Sequence, residues 1–504
     1  MRASSAVAPP IPLDATFRRA EALTFHINLC RGVDRFAVSA ERQSGRTETS
    51  LTAREAELLS RLSRWQTADE AGVSHDELVS LVSRNCAFWS SIRPSRNLHG
   101  EWLGSLDSLE GRVALRSNVQ LRALATTSRG TDPLVHMPRR GSLDRACLGG
   151  VLFVSHEMET AVAWARLGCC ARHALVAREL LPLLDGTHDF AELASTPERR
   201  ALLTALASLG LLERHSPPPP WNGEARVTWL GHAGILYEAH GKRILVDPVF
   251  YAINEPTRLR ERPFDGRDVG PIDAVLITHG DNDHLNPDSL MRLPRDTPIY
   301  IPRTPEVEPY QVDMAQLLWT IACKRVIEVD PWERIELGDV TVVVAPFQGE
   351  DWGLTLACRS YLIHGRDLTI FANADSTSSP EVYERLKKEF RVDLAFVGVT
   401  GAAETYAMPP GYGYGDFYAN WIPKERQNEW VELCNGPVES AKVAADLGAR
   451  YAFGYAAGGP PYCTVAYCDR GSHGQLADLL RAAGPGAPKP LDLVAAKPAR
   501  VPAD

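Results

Sequence analysis

Apolar positions change period near residue 216. Before it they recur mostly at helical spacing, in Glu55–Leu62 (EAELLSRL), in the stretch from Glu77 to Trp89, and in the runs LVARELLPLLDGTHDFAELA and RRALLTALASLGLLERH. One short β-rich run, GGVLFVSHE at Gly149–Glu157, interrupts them. Beyond residue 216 short β-branched runs bounded by Gly, Pro or Asp take over: ARVTWLGHAGILYEA, KRILVDPVF, DAVLITHG, TPIYIP, KRVIEVD, DVTVVVAPF, SYLIHGRDLTIFANAD and VDLAFVGVT. Runs apolar on successive residues, alternating with helical text, predict an α/β domain whose sheets are covered on both faces.

This texture sets the expected organisation. Residues 1–150 are expected to form a mostly helical or mixed region. Residues 151–215, with helix, a turn at Asp185-Gly186, helix and a closing Leu-Gly-Leu-Leu, have the outline of a winged-helix-like unit. The prolines of 216–223 (SPPPPWNG) cannot continue a helix and mark a linker. Residues 224–481 are expected to be the layered domain, and the Ala/Pro-rich 482–504 a flexible tail.

Composition narrows the function classes. At 504 residues, two to four domains are expected. With 54 basic against 63 acidic residues, a net charge of −9, the chain lacks the basic excess of a nucleic-acid footprint or a polybasic membrane patch. No apolar run approaches the ~20 residues of a spanning helix, and the N-terminus lacks the cationic head and apolar stretch of a secretory signal, so a cytoplasmic protein is expected. The ten cysteines are scattered without a CxxC pair, which predicts reduced thiols rather than a disulfide framework or zinc ribbon.

The densest chemistry lies in VLITHGDNDHLN, residues 275–286. An apolar strand ends at Thr278, and His279, Asp281, Asp283 and His284 follow within six residues. On extended chain, alternate residues share a side, which groups His279, Asp281 and Asp283, while His284 turns in after a bend. Turn-forming Asp and Asn could make an ordinary loop, but two histidines flanking two aspartates after a buried strand are what a metal site requires. Two further strand ends deliver acids: VTVVVAPF leads to Glu350 and LTIFANADS to Asp375. Beyond His284 only His364 and His473 remain of the 14 histidines, both in loop contexts. The inferred shell of two histidines and four carboxylates suits iron or manganese better than zinc, which favours nitrogen and sulfur.

These motifs resemble a known fold and one branch of it. THGDNDH resembles the HxHxDH signature of the metallo-β-lactamase fold, an αββα sandwich; TWLGHAG and ILVDPVF resemble its opening strands, in which His232 and Asp247 are expected to structure loops rather than bind metal. From about Glu224 to Gly474 the chain resembles the diiron β-hydroxylase family of the chloramphenicol-biosynthesis type, through those motifs and VAPFQGE, FANADSTSSPEVYERL, VGVTGAAE, NGPVESA and FGYAAGG. Residues 151–215 resemble peptide-binding winged-helix-like domains.

The resemblance implies two iron ions, one held by His279, Asp281, Glu350 and Asp375, the other by Asp283, His284 and a bridging Asp375. Glu350 and Asp375 would be the catalytic carboxylates. It implies O2 as co-substrate, an amino acid carried on the phosphopantetheine of a nonribosomal peptide synthetase carrier protein, and hydroxylation at the β-carbon. The chain departs from the family at Asp281, which is histidine there; flavodiiron proteins have glutamate at that position and still work with iron and oxygen. No GxGxxG opens a helix after a strand, so an external reductase is expected to donate the electrons.

Three other readings remain open: a phosphodiesterase- or lactonase-like metal-dependent hydrolase, a scaffold with a decayed site, and oxidation of a peptide captured by the winged-helix-like unit. That unit would equally serve homodimerisation. The aromatic, Gly-rich Met408–Trp421 and the basic Lys424 and Arg426 are candidates for a lid and a carrier contact.

Overall fold

The computed structural model describes the chain apart from residues 1–12, 28–34, 91–110, 132–147, 251–265, 304–312, 348–356, 406–424, 426–429, 457–472, 503–504 and some shorter gaps. Two compact units divide it, Met1–Leu134 with Ala146–Pro218, and Val135–Arg145 with Pro219–Asp504. The division falls between two prolines of the SPPPP run.

The second unit is a sandwich of two seven-stranded sheets. One sheet orders its strands Val326–Val329, Ile299–Pro302, Ala274–Leu276, Lys242–Val246, Gly234–Ala239, Arg226–Gly231 and Pro498–Ala499. The other orders Arg334–Leu337, Val340–Pro346, Arg359–Gly365, Thr369–Ala372, Leu394–Gly398, Tyr451–Tyr455 and Lys489–Pro490. Each mixes an antiparallel half with a parallel half.

Burial on both faces explains the unbroken apolar runs. In Val340–Pro346, Val340, Val342 and Val344 enter the core between the sheets, while Val343 and Ala345 face an outer cluster formed with helices Pro380–Glu389, Pro437–Asp446 and His473–Ala482. Phe371, Ala395 and Val397 repeat the outward pattern, and Ile370, Ala372, Leu394 and Phe396 the inward one. In the central strands nearly every residue is therefore committed to the core, and room for chemistry is at the strand ends.

The tail is structured, contrary to expectation. Lys489 and Leu491 donate backbone bonds to Arg450 and Ala452, Ala496 donates to Trp229, and residues 489–490 and 498–499 form the last strand of each sheet. Leu493 is 8% exposed and belongs to the inter-sheet core. Low side-chain hydrophobicity concealed this, because edge pairing uses backbone groups that every residue carries.

The first unit also departs from its reading. Among the described residues of 1–150, strands outnumber helices: a seven-stranded sheet runs Gly45–Thr52, Arg35–Arg42, Leu23–Ile27, Thr160–Gly168, Leu148–Glu157, Val119–Thr127 and Gly130–Thr131. The helical stretch around 77–89 is a helix only over His75–Ser83, capped by Ser74, and Ala87–Ser90 is a strand. Helices Ala171–Leu180, Phe190–Leu193 and Pro197–Ser208 accompany a small sheet of Asp185–Asp189, Arg112–Leu115 and Leu212–Glu213. This helix-strand group thus begins near residue 171 rather than 151 and recruits a strand from further upstream.

Replacing Leu493 with Ala should lower unfolding stability by about 2–3 kcal/mol through the cavity it leaves. Denaturant titration checks this; a change below ~0.5 kcal/mol, the usual surface value, would contradict docking of the tail.

Candidate metal centre

Asp247 follows the strand Lys242–Val246 with φ +41°, a left-handed backbone uncommon for a non-glycine residue. Its fully buried carboxylate accepts from Thr278 N at 2.8 Å, from Thr278 Oγ1 at 2.6 Å and from His284 Nδ1–H at 2.8 Å. Because the Thr278 hydroxyl proton goes to Asp247, Oγ1 accepts from His279 Nδ1 at 2.9 Å. Both imidazoles are thereby oriented with Nε2 toward the same space, the arrangement metal-binding histidines adopt when a carboxylate or hydroxyl holds the other nitrogen.

Asp375 reaches that space from the other sheet. It follows the strand Thr369–Ala372 through Asn373 and Ala374, and Gly398 makes the approach feasible: a Cβ there would lie 2.5 Å from the Ala374 carbonyl oxygen. Asp375 Oδ2 lies 3.2 Å from His284 Nε2 and 3.9 Å from His279 Nε2. Asp281 Oδ2 lies 3.7 Å from His279 Nε2. On the other side His232 Nε2 sits 3.0 Å from Asp283 Oδ2, and His232, Asp283 and His284 form a second group of mutually close donors. Ligand bonds of about 2.1 Å place neighbouring donors ~3–4 Å apart, so these separations fit a shared cation.

Buried polar atoms support that fit. His284 Nε2 and Asp375 Oδ1 make no hydrogen bond among the described residues, although a buried polar group without a partner is costly. Electrostatics point the same way. Burial, with neighbouring His284, pushes His279 down to about 3, so its imidazole is neutral and Nε2 offers a lone pair. Burial and the Asp283 carboxylate push Asp281 up to about 7. Burial also raises Asp283, but the His284 and His232 imidazoles outweigh it and hold Asp283 well below the usual carboxylate range. For His284 burial disfavours the charge, yet the Asp375, Asp247 and Asp283 carboxylates hold its imidazole protonated well above its ordinary value. Without a metal, protons on His284 and Asp281 take the place of the missing cation charge.

Of the six residues expected in the shell, His279, Asp281, His284 and Asp375 converge on one space, and Asp283 lies beside them against His232. Glu350, the segment Met408–Trp421, Lys424 and Arg426 lie outside the described residues. His364 bonds Thr369 Oγ1 near the end of its strand away from the site, whereas Arg359, at the other end, donates its backbone N–H to Thr278 O. His232 was expected only to structure a loop. The signal that could have placed it at the site is its position in the two-residue turn that ends the first hairpin, since the hairpin's neighbour in the sheet ends at Asp247.

Comparison with known proteins identifies the fold. Residues 242–454 match the beta-lactamase superfamily domain, and the sandwich is the metallo-β-lactamase fold. Over 229 residues the chain is 29% identical to the 4-amino-L-phenylalanyl-(CmlP peptidyl-carrier-protein) 3-hydroxylase of Streptomyces venezuelae, spanning 44% of this chain and 41% of that protein. Over 243 residues it is 26% identical to the mitochondrial N-acyl-phosphatidylethanolamine-hydrolyzing phospholipase D of Saccharomyces cerevisiae, spanning 45% of this chain and 46% of that one. The crystal structure of CmlA, a diiron beta-hydroxylase from Streptomyces venezuelae, aligns with TM-score 0.53 at 20% identity over 74% of each chain. The chain is thus a homologue of the hydroxylase, matched over less than half the length of these two curated relatives. Among the described residues no helix is long and apolar enough to cross a membrane.

Metal binding must displace the protons held on Asp281 and His284. Affinity should therefore rise as pH increases through about 7 and fall below it, with proton release on binding. Isothermal titration in buffers of different ionisation enthalpy measures that release; a pH-independent affinity between 6 and 8 would contradict the assignment.

Proposed function

We propose that the chain is a non-haem diiron, O2-dependent oxygenase that hydroxylates the β-carbon of an amino acid tethered as a thioester to a nonribosomal peptide synthetase carrier protein. The observation that carries this reading is the donor set. Two imidazoles and an excess of carboxylates converge at one edge of the sandwich, on a chain homologous to a hydroxylase whose named substrate is carrier-bound. His279, Asp281, Glu350 and Asp375 would hold one iron; Asp283, His284 and Asp375 would hold the other. Bound there, the pair supplies dioxygen activation, in which RH, O2, two electrons and two protons give ROH and H2O.

The chain's own residues have three tasks. Asp247 and Thr278 fix the two imidazoles, so that Nε2 of each faces the site in a single tautomer. Asp281, Asp283, Glu350 and Asp375 supply the anionic charge that a pair of cations requires. Phe347, its ring 5.7 Å from that of His279, places an apolar side chain beside the site. The electrons come from an external reductase, and the carrier protein brings the substrate.

A second reading, a metal-dependent hydrolase, is favoured by one specific observation, the 26% identity to an N-acyl-phosphatidylethanolamine-hydrolyzing phospholipase D. The two readings part on metal and product. Anaerobic loading should give about two irons per chain, and reduced protein with O2 and a carrier-bound aminoacyl thioester should add one oxygen atom by mass spectrometry. Stoichiometric zinc with phosphodiester cleavage and no oxygen gain would replace the proposal with the hydrolase. Glu350→Ala should lower turnover at least ~100-fold with an unchanged circular dichroism spectrum; full activity would remove Glu350 from the shell.

A further inference from the structure

His232 is held in an unusual way for a residue with no assigned role. It occupies the first position of the two-residue turn between strands Arg226–Gly231 and Gly234–Ala239, with φ +44°. Hairpin turns of this size favour glycine where φ is positive, because a side chain there meets its own backbone. Glycine flanks the turn at 231 and 234, yet histidine stands at the strained position. Its carbonyl is fixed from two directions, by Trp229 Nε1 at 2.8 Å and by the backbone N–H of Ala456 at 3.2 Å. The donors come from the opening strand and from just past the end of Tyr451–Tyr455, so the turn is tied to both sheets.

This anchoring aims the ring. His232 Nε2 lies 3.0 Å from Asp283 Oδ2, and the ring stands edge-on to His284 with centroids 5.6 Å apart. An ionised carboxylate only accepts, so the proton of this hydrogen bond sits on His232 Nε2. Asp283 itself belongs to a loop whose neighbour Asn282 lies outside the described residues. At 30% side-chain exposure it is less enclosed than Asp375 at 9%, and His232 at 16% shields it from one side. Strained backbone that persists around a side chain pointed at a functional group is what positioning requires.

We propose that His232 is a positioning residue for the second metal: its Nε2–H holds one oxygen of Asp283, leaving the other directed at the ion that Asp283 and His284 share. The inference rests on the dimetal reading and concerns one of its two sites. It sets His232 apart from the six shell residues, because the role needs a hydrogen-bond donor and no lone pair.

That distinction makes the proposal testable by metal binding alone, with the full chain. Wild type, His232→Gly and His232→Gln are titrated anaerobically with Fe(II) against a competing chelator, and the metal-free proteins are melted in parallel. Glycine relieves the left-handed turn, so metal-free His232→Gly should melt at or above wild type. It should bind the first iron as wild type does and the second ~10–100-fold more weakly. His232→Gln, which keeps an N–H at similar reach, should recover most of that loss. The proposal is overturned if His232→Gly binds both irons with wild-type affinity, or if glutamine is as weak as glycine, which would make His232 a direct ligand. A metal-free melting point that drops for His232→Gly would make the residue structural and overturn it too. Wild type that takes up no second metal would overturn the dimetal reading and this inference together, a result separable from the others because it does not involve the variants.

Discussion

The buried carboxylate of Asp247 is the interaction on which the site depends. It stands at the end of one parallel strand and binds the backbone and side chain of Thr278, just past the end of the next, as well as His284 six residues later. Those contacts fix where the chain turns after the strand, which imidazole nitrogen carries each proton, and which way both rings face. Alanine would leave the Thr278 N–H and hydroxyl and the His284 ring without their acceptor at a position with no water-exposed surface, and asparagine would turn one of the two acceptor oxygens into an opposed NH2 donor. Asp247 keeps a left-handed backbone to reach them, as do His232, Ala374 and Ala456, so among the described residues four non-glycine residues with positive φ border one edge of the sandwich. Such clustering is expected where geometry is set by a site rather than by local preference.

Charge supplies the second constraint. Asp247, Asp281, Asp283 and Asp375 crowd around two imidazoles, one of them held neutral by burial. Taking even one carboxylate out of water without compensation costs several kcal/mol, and close like charges add to it. Hydrogen bonds from Thr278 to Asp247 and from His232 to Asp283 offset part of that cost, and protons on His284 and Asp281 offset more. The cluster thus suits a cation, and the same repulsion that disfavours the metal-free state would favour binding of the proposed metal pair.

How much of this could be read in the sequence follows from what each signal depends on. Strands buried on both faces appear as continuous β-branched runs, so the sandwich and the strand ends carrying His279 and Asp375 were legible. Strands in the first unit were missed because runs such as RFAVSAER and GRTETSLT mix charge with alternation, and AFWS continues the helical pattern of His75–Ser83. The last strands of the two sheets were invisible for a different reason, since they pair through backbone while their side chains are Pro, Ala and Lys. His232 is 51 residues from Asp283, and its turn position beside the strand that ends at Asp247 becomes a signal only once the pairing of those strands is known. Tertiary contacts of that kind leave no periodicity.

Asp281 is the residue that bears most on the chemistry. An anionic oxygen in place of an imidazole would raise the negative charge facing a bound metal, and in a partly enclosed site that favours the higher of two oxidation states. A redox-active ion responds with a lower reduction potential, which suits a centre that must give electrons to dioxygen. A zinc hydrolase gains nothing comparable: zinc has one accessible oxidation state, and an added carboxylate weakens the Lewis acidity on which water activation depends. Asp281 lies 3.7 Å from His279 Nε2 with its proton affinity already raised by its neighbours, so it would bind most strongly where the positive charge is greatest. Asp281, which stands where the hydroxylase family that the sequence resembles has histidine, therefore fits the proposed oxygenase better than a hydrolase.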